Sequence, residues 1–355
     1  MKVKAIPPIL GELLAAAGPS GYEAAPAAAW RAAATAFGAQ VEGDTLGSSI
    51  ARVAGRSSDR RLAIVGHIDE IGLIVTHIDD EGFLWFRTVG GWDAQILVGQ
   101  RVRIATSEGS TVGVIGKKAI HLLRDEERKQ PPEVRDLHID IAAADGEDAR
   151  ARVQVGDVAV VDVEPVVLTP GRVAARALDN RLGAYIALEA ARLVAEAGGA
   201  EWEVVAVAAA QEEITFGGSR TTADRLAPEL AVVVDVTHAT DTPGADVKAS
   251  GKHGLGSGAV IARGAIIHPR VSQLLQETAE AESIPFTVEA LGRNTGTDAD
   301  AIHLSRAGVP TGLVSIPLRY MHSPVELVEL DDVDACARLI AAFALRLGAT
   351  VSFER

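Results

Sequence analysis

The stretch VVAVAAAQEEITFGGS, Val204–Ser219, decides how this chain folds. Seven apolar residues, Val204 to Ala210, run unbroken into Gln211, and two carboxylates, Glu212 and Glu213, follow at once. A short, Val-rich apolar run closed by polar residues predicts a strand buried on both faces, as in a parallel sheet covered by helices. Adjacent like charges repel, and burying either one is costly unless a positive charge compensates. Two explanations compete: a solvated strand end, or a cation bound by one carboxylate while the other handles protons. Side chains alternate in direction along a strand, so Glu212 and Glu213 are expected to do different jobs.

Downstream and upstream, the same grammar recurs. From about residue 178 helical and strand patterns alternate. NRLGAYIALEAARLVAEAG reads as an amphipathic helix ended by Gly198, and SQLLQETAEAE and VDACARLIAAFALRL read as further helices. LAVVVDV and TGLVSIP read as buried strands. RRLAIVG, near residue 65, is another, with Gly66 breaking it. These alternations predict an α/β fold, a mostly parallel sheet with helices on both faces. From Gly72 to about Val163 the character changes to short β-type runs punctuated by Gly and Asp (GFLWFRTVG, QRVRIAT, TVGVIG, DVAVVDV), as in a small barrel or sandwich. RDEERKQPPEVRD reads as a solvated loop. The expected organisation is one α/β domain, residues 1–70 and 164–355, with a small β-barrel-like domain, residues 71–163, inserted into it.

Composition narrows the function classes. The chain has 355 residues, 48% of them hydrophobic, so a large core is available without a metal or disulfide to hold it. With 48 acidic against 34 basic residues the net charge is −14, which repels phosphate backbones and anionic lipid; neither nucleic acid nor membrane is expected as a partner. One cysteine, Cys336, excludes an intramolecular disulfide and a thiolate zinc site, and it reads as a small core residue. MKVKAIPPILGELLAAAG imitates a secretory signal, but Pro7, Pro8, Gly11 and Glu12 break its apolar region. A cytoplasmic location is the expectation.

The polar residues that follow the strands form a pattern. LAIVG leads into His67, with Asp69 two residues on; VVAVAAAQ into Glu212 and Glu213; LAVVV into Asp235; LVSIP is followed shortly by His322; Asp179 directly precedes its helix. In open α/β sheets sites form beyond the carboxyl ends of strands, so these groups are expected to converge on one edge. Taken singly, each has a bland reading: His67 and His322 as structural histidines, Asp179 as a helix N-cap, Glu212–Glu213 as a solvated edge. A buried Asp235 is harder to dismiss, because a carboxylate there needs a partner. His77, His121, His138 and His303 are taken as surface or structural, and His238, near the proposed edge, likewise. GKHGLGSG matches no phosphate-binding motif and reads as a loop. Together, two imidazoles and several carboxylates suit Zn²⁺, Co²⁺ or Mn²⁺, and five candidate ligands suit two ions better than one. Such a pair lowers the pKa of a shared water and polarises a substrate carbonyl. Glu212 or Glu213 would ligate while the other accepts a proton, and Asp69 would fix the tautomer of His67.

The motifs GHIDEIG, ALDNRLGA, QEEITFGG, DVTHATDTPG, GTDADAIH and IPLRYMHSP occur in the order seen in the M42 family of metallo-aminopeptidases, which includes glutamyl and tetrahedral (TET) aminopeptidases and members labelled endoglucanase M. The chain resembles that family over nearly its whole length; SGYE near the start, and GGWDAQILVGQRV, GVIGKKAIHLL and VRDLHIDIAA in the insert, are similar too. The resemblance implies Asp179 as a carboxylate bridging two metals, His67 and Asp235 completing one site, and Glu213 and His322 the other. It implies Glu212 as general base and Asp69 as the residue orienting His67. It also implies a β-rich dimerisation insert, short peptides with a free N-terminus as substrates, and dimers assembling into a hollow dodecamer. Two departures stand out: EEITFGGS replaces the usual E-E-V-G-x-R-G-A, and Ser48 stands where Asn is common. The competing readings are a metal-dependent deacylase or deblocking peptidase on the same site, a β-glucanase, and a non-catalytic scaffold. For a glucanase the adjacent Glu212 and Glu213 are poorly placed, since two carboxylates must flank the bond.

Overall fold

A computed structural model describes residues 5–56 and 59–354; the first four residues of the N-terminal stretch lie outside them. A helix Pro8–Ala15 and a helix Ala24–Ala36 precede a hairpin of β1 (Gln40–Gly43) and β2 (Ser49–Val53), and β3 (Arg61–His67) follows. The chain then leaves the sheet. β4 (Gly72–Ile78), β5 (Leu84–Val89), β6 (Arg101–Thr106), β7 (Gly109–Lys117), β8 (Leu137–Asp140) and β9 (Val158–Val161) close a barrel in the order β4-β5-β8-β7-β6-β9. Period-two patterning builds it: in RVRIAT, Val102 and Ile104 are buried while Arg101 and Arg103 point outward. The excursion between β7 and β8 carries short 3-10 turns, Glu127–Lys129 and Val134–Asp136 among them.

β10 (Val166–Thr169) and β11 (Arg172–Ala175) bring the chain back to a long helix, Leu178–Glu196. β12 (Glu203–Ala209), β13 (Leu230–His238), β14 (Ala259–Gly264), β15 (Phe286–Leu291) and β16 (Thr311–Leu318) complete the main sheet, ordered β1-β2-β12-β3-β13-β16-β14-β15. Its centre, β12-β3-β13-β16, is parallel, so four strand ends share one edge. The flanks depart from the expected parallel pattern: β2 pairs antiparallel with β12, and β14 with β16. β17 (Glu326–Glu329) pairs with β11 in a small antiparallel sheet.

Alternate residues of the central strands serve two cores. Leu62 and Ile64, with Val232 and Val234, pack under the helices Leu178–Glu196, Pro269–Ala281 and Leu330–Arg346, and Cys336 is buried there. Ala63 and Val65, with Ala231 and Val233, face the helix Gly217–Leu226 and the short helix Ala299–Ile302. Both faces are thus covered. The expectation that Gly66 breaks its strand is corrected: β3 continues to His67. Gly66 is there for close approach, since a Cβ on it would lie 2.2 Å from the carbonyl carbon of Gly183. Helix and strand touch backbone to backbone at that point, which lets the helix bring Asp179 to the edge of the sheet. Among the described residues no helix is long and apolar enough to cross a membrane.

Candidate metal centre

His67 is the last residue of β3, on the face of Ala63 and Val65, and Asp235 continues the face of Ala231 and Val233. Asp235 therefore lies inside β13, three residues before its end, and not beyond it. The alternation argument for Glu212 and Glu213 is overturned. β12 stops at Ala209, Gln211 takes a left-handed φ of 60°, and both glutamates sit in one helical turn, Glu212–Thr215, which closes at Phe216 with φ 54°. Their different surroundings come from that turn. Ala177, ahead of Asp179, and His322 itself are also left-handed, at 58° and 59°. Non-glycine residues in this region are strained and cluster where a fold is shaped around a site.

The structure brings all seven predicted residues together. His67 Nε2 lies 3.2 Å from Asp179 Oδ1 and 3.6 Å from Glu212 Oε2. His322 Nε2 lies 3.4 Å from Asp179 Oδ2 and 3.3 Å from Glu213 Oε1. Each oxygen of Asp179 thus faces a different imidazole. Three groups have ligand atoms within 4.8 Å of one another: His67 with Glu212 and Glu213, His67 with Asp179 and Asp235, and Asp179 with Glu213 and His322. His67 Nδ1 is 3.1 Å from the carbonyl oxygen of Asp69, which can only accept, so Nδ1 carries a proton and Nε2 is the nitrogen turned to the Asp179 and Glu212 carboxylates. The Asp69 carboxylate reaches further than predicted. It accepts from the backbone N–H of Glu212 at 3.0 Å and of Glu213 at 3.2 Å, and from the Ser20 hydroxyl at 2.6 Å.

Electrostatics show what the cluster lacks. Burial pushes Glu212 up to about 10, despite the pull of His67. Burial likewise raises Glu213, and raises Asp235 well above the carboxylate range. Burial works against protonated His67, yet Glu212, Asp179 and Asp69 together hold it well above the imidazole range. His322, bonded to Asp179 and Glu213, is held at about 11. Four carboxylates and two imidazoles converge, and among the described residues no lysine or arginine lines the cavity. Nitrogen and oxygen donors with an excess of negative charge fit divalent cations, which would restore neutral imidazoles and ionised carboxylates.

Sequence reasoning missed Glu326. This buried carboxylate accepts from the backbone N–H of Asp179 at 3.0 Å and of His322 at 2.9 Å, fixing two candidate ligands at once. Its signal was present: an acid within the apolar run VELV, four residues after His322. Glu23, also buried, accepts from Gln211 N–H at 3.1 Å and holds the turn before Glu212. Asp298, of the GTDADAIH motif, is buried, and burial pushes it up to about 6 despite the pull of His67 and Ser219. His238, taken as structural, lines the cavity that opens from the centre, about 430 Å³ in volume. The GKHGLGSG loop does not line it; the Asp332 carboxylate accepts from Gly256 and Gly258 N–H, each at 2.7 Å.

Comparison with known proteins gives concordant matches. A family model described as M42 glutamyl aminopeptidase matches residues 47–339. A lysyl aminopeptidase of Pyrococcus furiosus is 35% identical over 306 residues, covering 85% of this chain and 86% of that protein. Among solved structures, a TET aminopeptidase from a marine sediment archaeon of the Thaumarchaeota superposes with a TM-score of 0.91 at 34% identity, over 96% of this chain and 95% of the other. The TET1 peptidase of Pyrococcus horikoshii, described as assembling into a tetrahedron or a large octahedral shell, superposes with a TM-score of 0.84 at 32% identity, over 96% and 99%.

Proposed function

Because this chain belongs to the M42 glutamyl aminopeptidase family, and so to the peptide hydrolases, we propose that it is a metal-dependent aminopeptidase that removes N-terminal residues from short peptides. The observation that carries this reading is Asp179, whose two oxygens face His67 on one side and His322 on the other. His67, Asp179 and Asp235 would hold one ion, and Asp179, Glu213 and His322 a second, with zinc or cobalt favoured and manganese also suited to the donors. Such a pair supplies an acidified water and a polarised peptide carbonyl.

The chain's own groups do the rest. Glu212 takes a proton from the attacking water and returns it to the departing amine, a role for which its buried, polar-flanked position suits it. Asp69 keeps the proton of His67 on Nδ1 and pins the backbone of Glu212 and Glu213, so base and ligand keep a fixed relation. In this reading residues 1–70 and 164–355 form the catalytic domain and 71–163 a dimerisation insert, whose exposed Val112, Val114, Ile120 and Leu122 offer apolar surface to another subunit. A homo-oligomer, up to a dodecamer, and a cytoplasmic site of action go with it.

The experiment is a panel of aminoacyl chromogenic amides run with zinc, cobalt and manganese, beside N-acetylated controls. Hydrolysis that needs the free amine, stops with chelator and returns with metal is expected. Cleavage of the acetylated controls would turn the assignment to a deacylase or deblocking peptidase on the same site. Unchanged turnover in excess chelator by protein free of metal would remove the reading.

A further inference from the structure

The cavity beside the centre holds one charged group that hydrolysis does not use. Glu289 of β15 faces it, half-buried. The Thr237 hydroxyl donates to Glu289 Oε1 at 3.1 Å, which orients the carboxylate. Among the described residues, no lysine or arginine lines this space. Its basic groups are imidazoles: His67 and His322, already facing carboxylates, and His238 at the exposed end of β13. A carboxylate turned into a partly enclosed space with no cation beside it has an unmet electrostatic demand.

Its position says which part of a substrate can meet that demand. Asp235 and Thr237 lie on the same face of β13, two residues and so roughly 6.6 Å apart along the strand. Glu289 is one hydrogen bond beyond Thr237. The α-amine of a substrate lies within roughly 3 Å of the carbonyl that is cut, and so stays beside the centre. The end of an extended lysine side chain lies roughly 6 Å from its Cα, the same scale as the step from Asp235 to Thr237. Phe216 and Met321 line the same space and offer apolar, polarisable surface to a methylene stem.

We infer that Glu289 makes this cavity a pocket for a long basic side chain, lysine or arginine, on the N-terminal residue that is released. The inference rests on the aminopeptidase reading and adds its substrate class. An acidic N-terminal residue would instead set a second carboxylate against Glu289.

The test compares lysyl, arginyl, norleucyl and glutamyl amides, norleucine having lysine's stem without its ammonium group. The lysyl substrate is expected to exceed the norleucyl one in kcat/KM by about 10-fold or more, the worth of a charge-assisted hydrogen bond. In Glu289→Gln that ratio should collapse toward unity, and in Glu289→Lys the glutamyl amide should overtake the lysyl. A norleucyl or glutamyl amide cleaved as well as the lysyl one, or a lysyl-to-norleucyl ratio unmoved by Glu289→Gln, overturns the inference. Should no amide be cleaved with any metal, the aminopeptidase reading fails, and calorimetric titration still decides the pocket. Tighter binding of lysine amide than norleucine amide to the zinc-loaded protein, abolished in Glu289→Gln, upholds it; equal binding overturns it.

Discussion

At Glu326 a single carboxylate holds the backbone of two candidate ligands, Asp179 and His322, from a strand that neither belongs to. Its two oxygens serve different N–H groups, so Gln can replace only one acceptor and Ala neither. Glu326→Ala is expected to weaken divalent-metal affinity about 10–100-fold, the range seen when a residue behind a ligand is removed. Titration against a buffered zinc indicator measures this, with Glu326→Gln falling between; wild-type affinity in the Ala variant would show that the ligands hold themselves. His67, Asp179, Glu213, Asp235 and His322 were legible in the sequence because each breaks an apolar pattern or interrupts a helix start. Glu326 obeys the same rule, yet it opens β17 instead of following the carboxyl end of a strand, and was passed over. Glu289 and Thr237 left no trace of that kind. They are half-buried residues in ordinary strands, and only the pairing of β13 and β15 with their neighbours sets them on one wall.

Secondary elements reach the site through two contacts that can be broken singly. The first is Gly66 against Gly183, where no side-chain atom fits between β3 and the helix Leu178–Glu196. Gly66→Ala must push the helix away and is expected to cost about 3 kcal/mol or more, with loss of metal as Asp179 retreats. Urea unfolding beside metal content checks it; a fully stable, metal-competent Ala variant would refute the close approach. The second contact is Asp332, at the start of the helix Leu330–Arg346, which clamps the loop at Gly256 and Gly258. Burial pushes Asp332 up to about 6, from an ordinary value near 3.8. The folded state therefore holds its proton more tightly than the unfolded one, and stability present below pH 4 is lost as pH rises through about 6. Asp332→Asn removes this dependence, so the variant should gain on wild type by about 2–3 kcal/mol between pH 4 and pH 7, read from paired denaturation curves. A constant difference across that range would mean the carboxylate ionises normally. Strand and helix identities followed from periodicity because long apolar runs leave little choice. The turn at Glu212 did not, since its left-handed entry at Gln211 depends on Glu23, far away in sequence.

Across the whole molecule the centre is a concentration of buried negative charge that the fold tolerates without satisfying. Divalent ions bind the native arrangement and not the unfolded chain, so they should stabilise it by mass action, about 2.7 kcal/mol at a hundredfold excess over Kd. Melting temperature measured after chelation and during zinc titration should therefore rise with zinc concentration; a flat response would deny the cluster its cation. The α/β sheet and the barrel were readable as two patterns, because period-two runs and helix-strand alternation differ over many residues. The antiparallel flanks of the main sheet were not, since a buried strand reads alike in either direction. The barrel has one more consequence, and it concerns time. It interrupts the main sheet just after His67, while Asp235 and His322 lie far downstream. At about 5–20 residues per second of synthesis, on the order of 10–50 s separate the emergence of His67 from that of His322. A nascent chain could round off its barrel within that interval, but a cation held by Asp179, Glu213 and His322 would have to arrive after translation is almost finished.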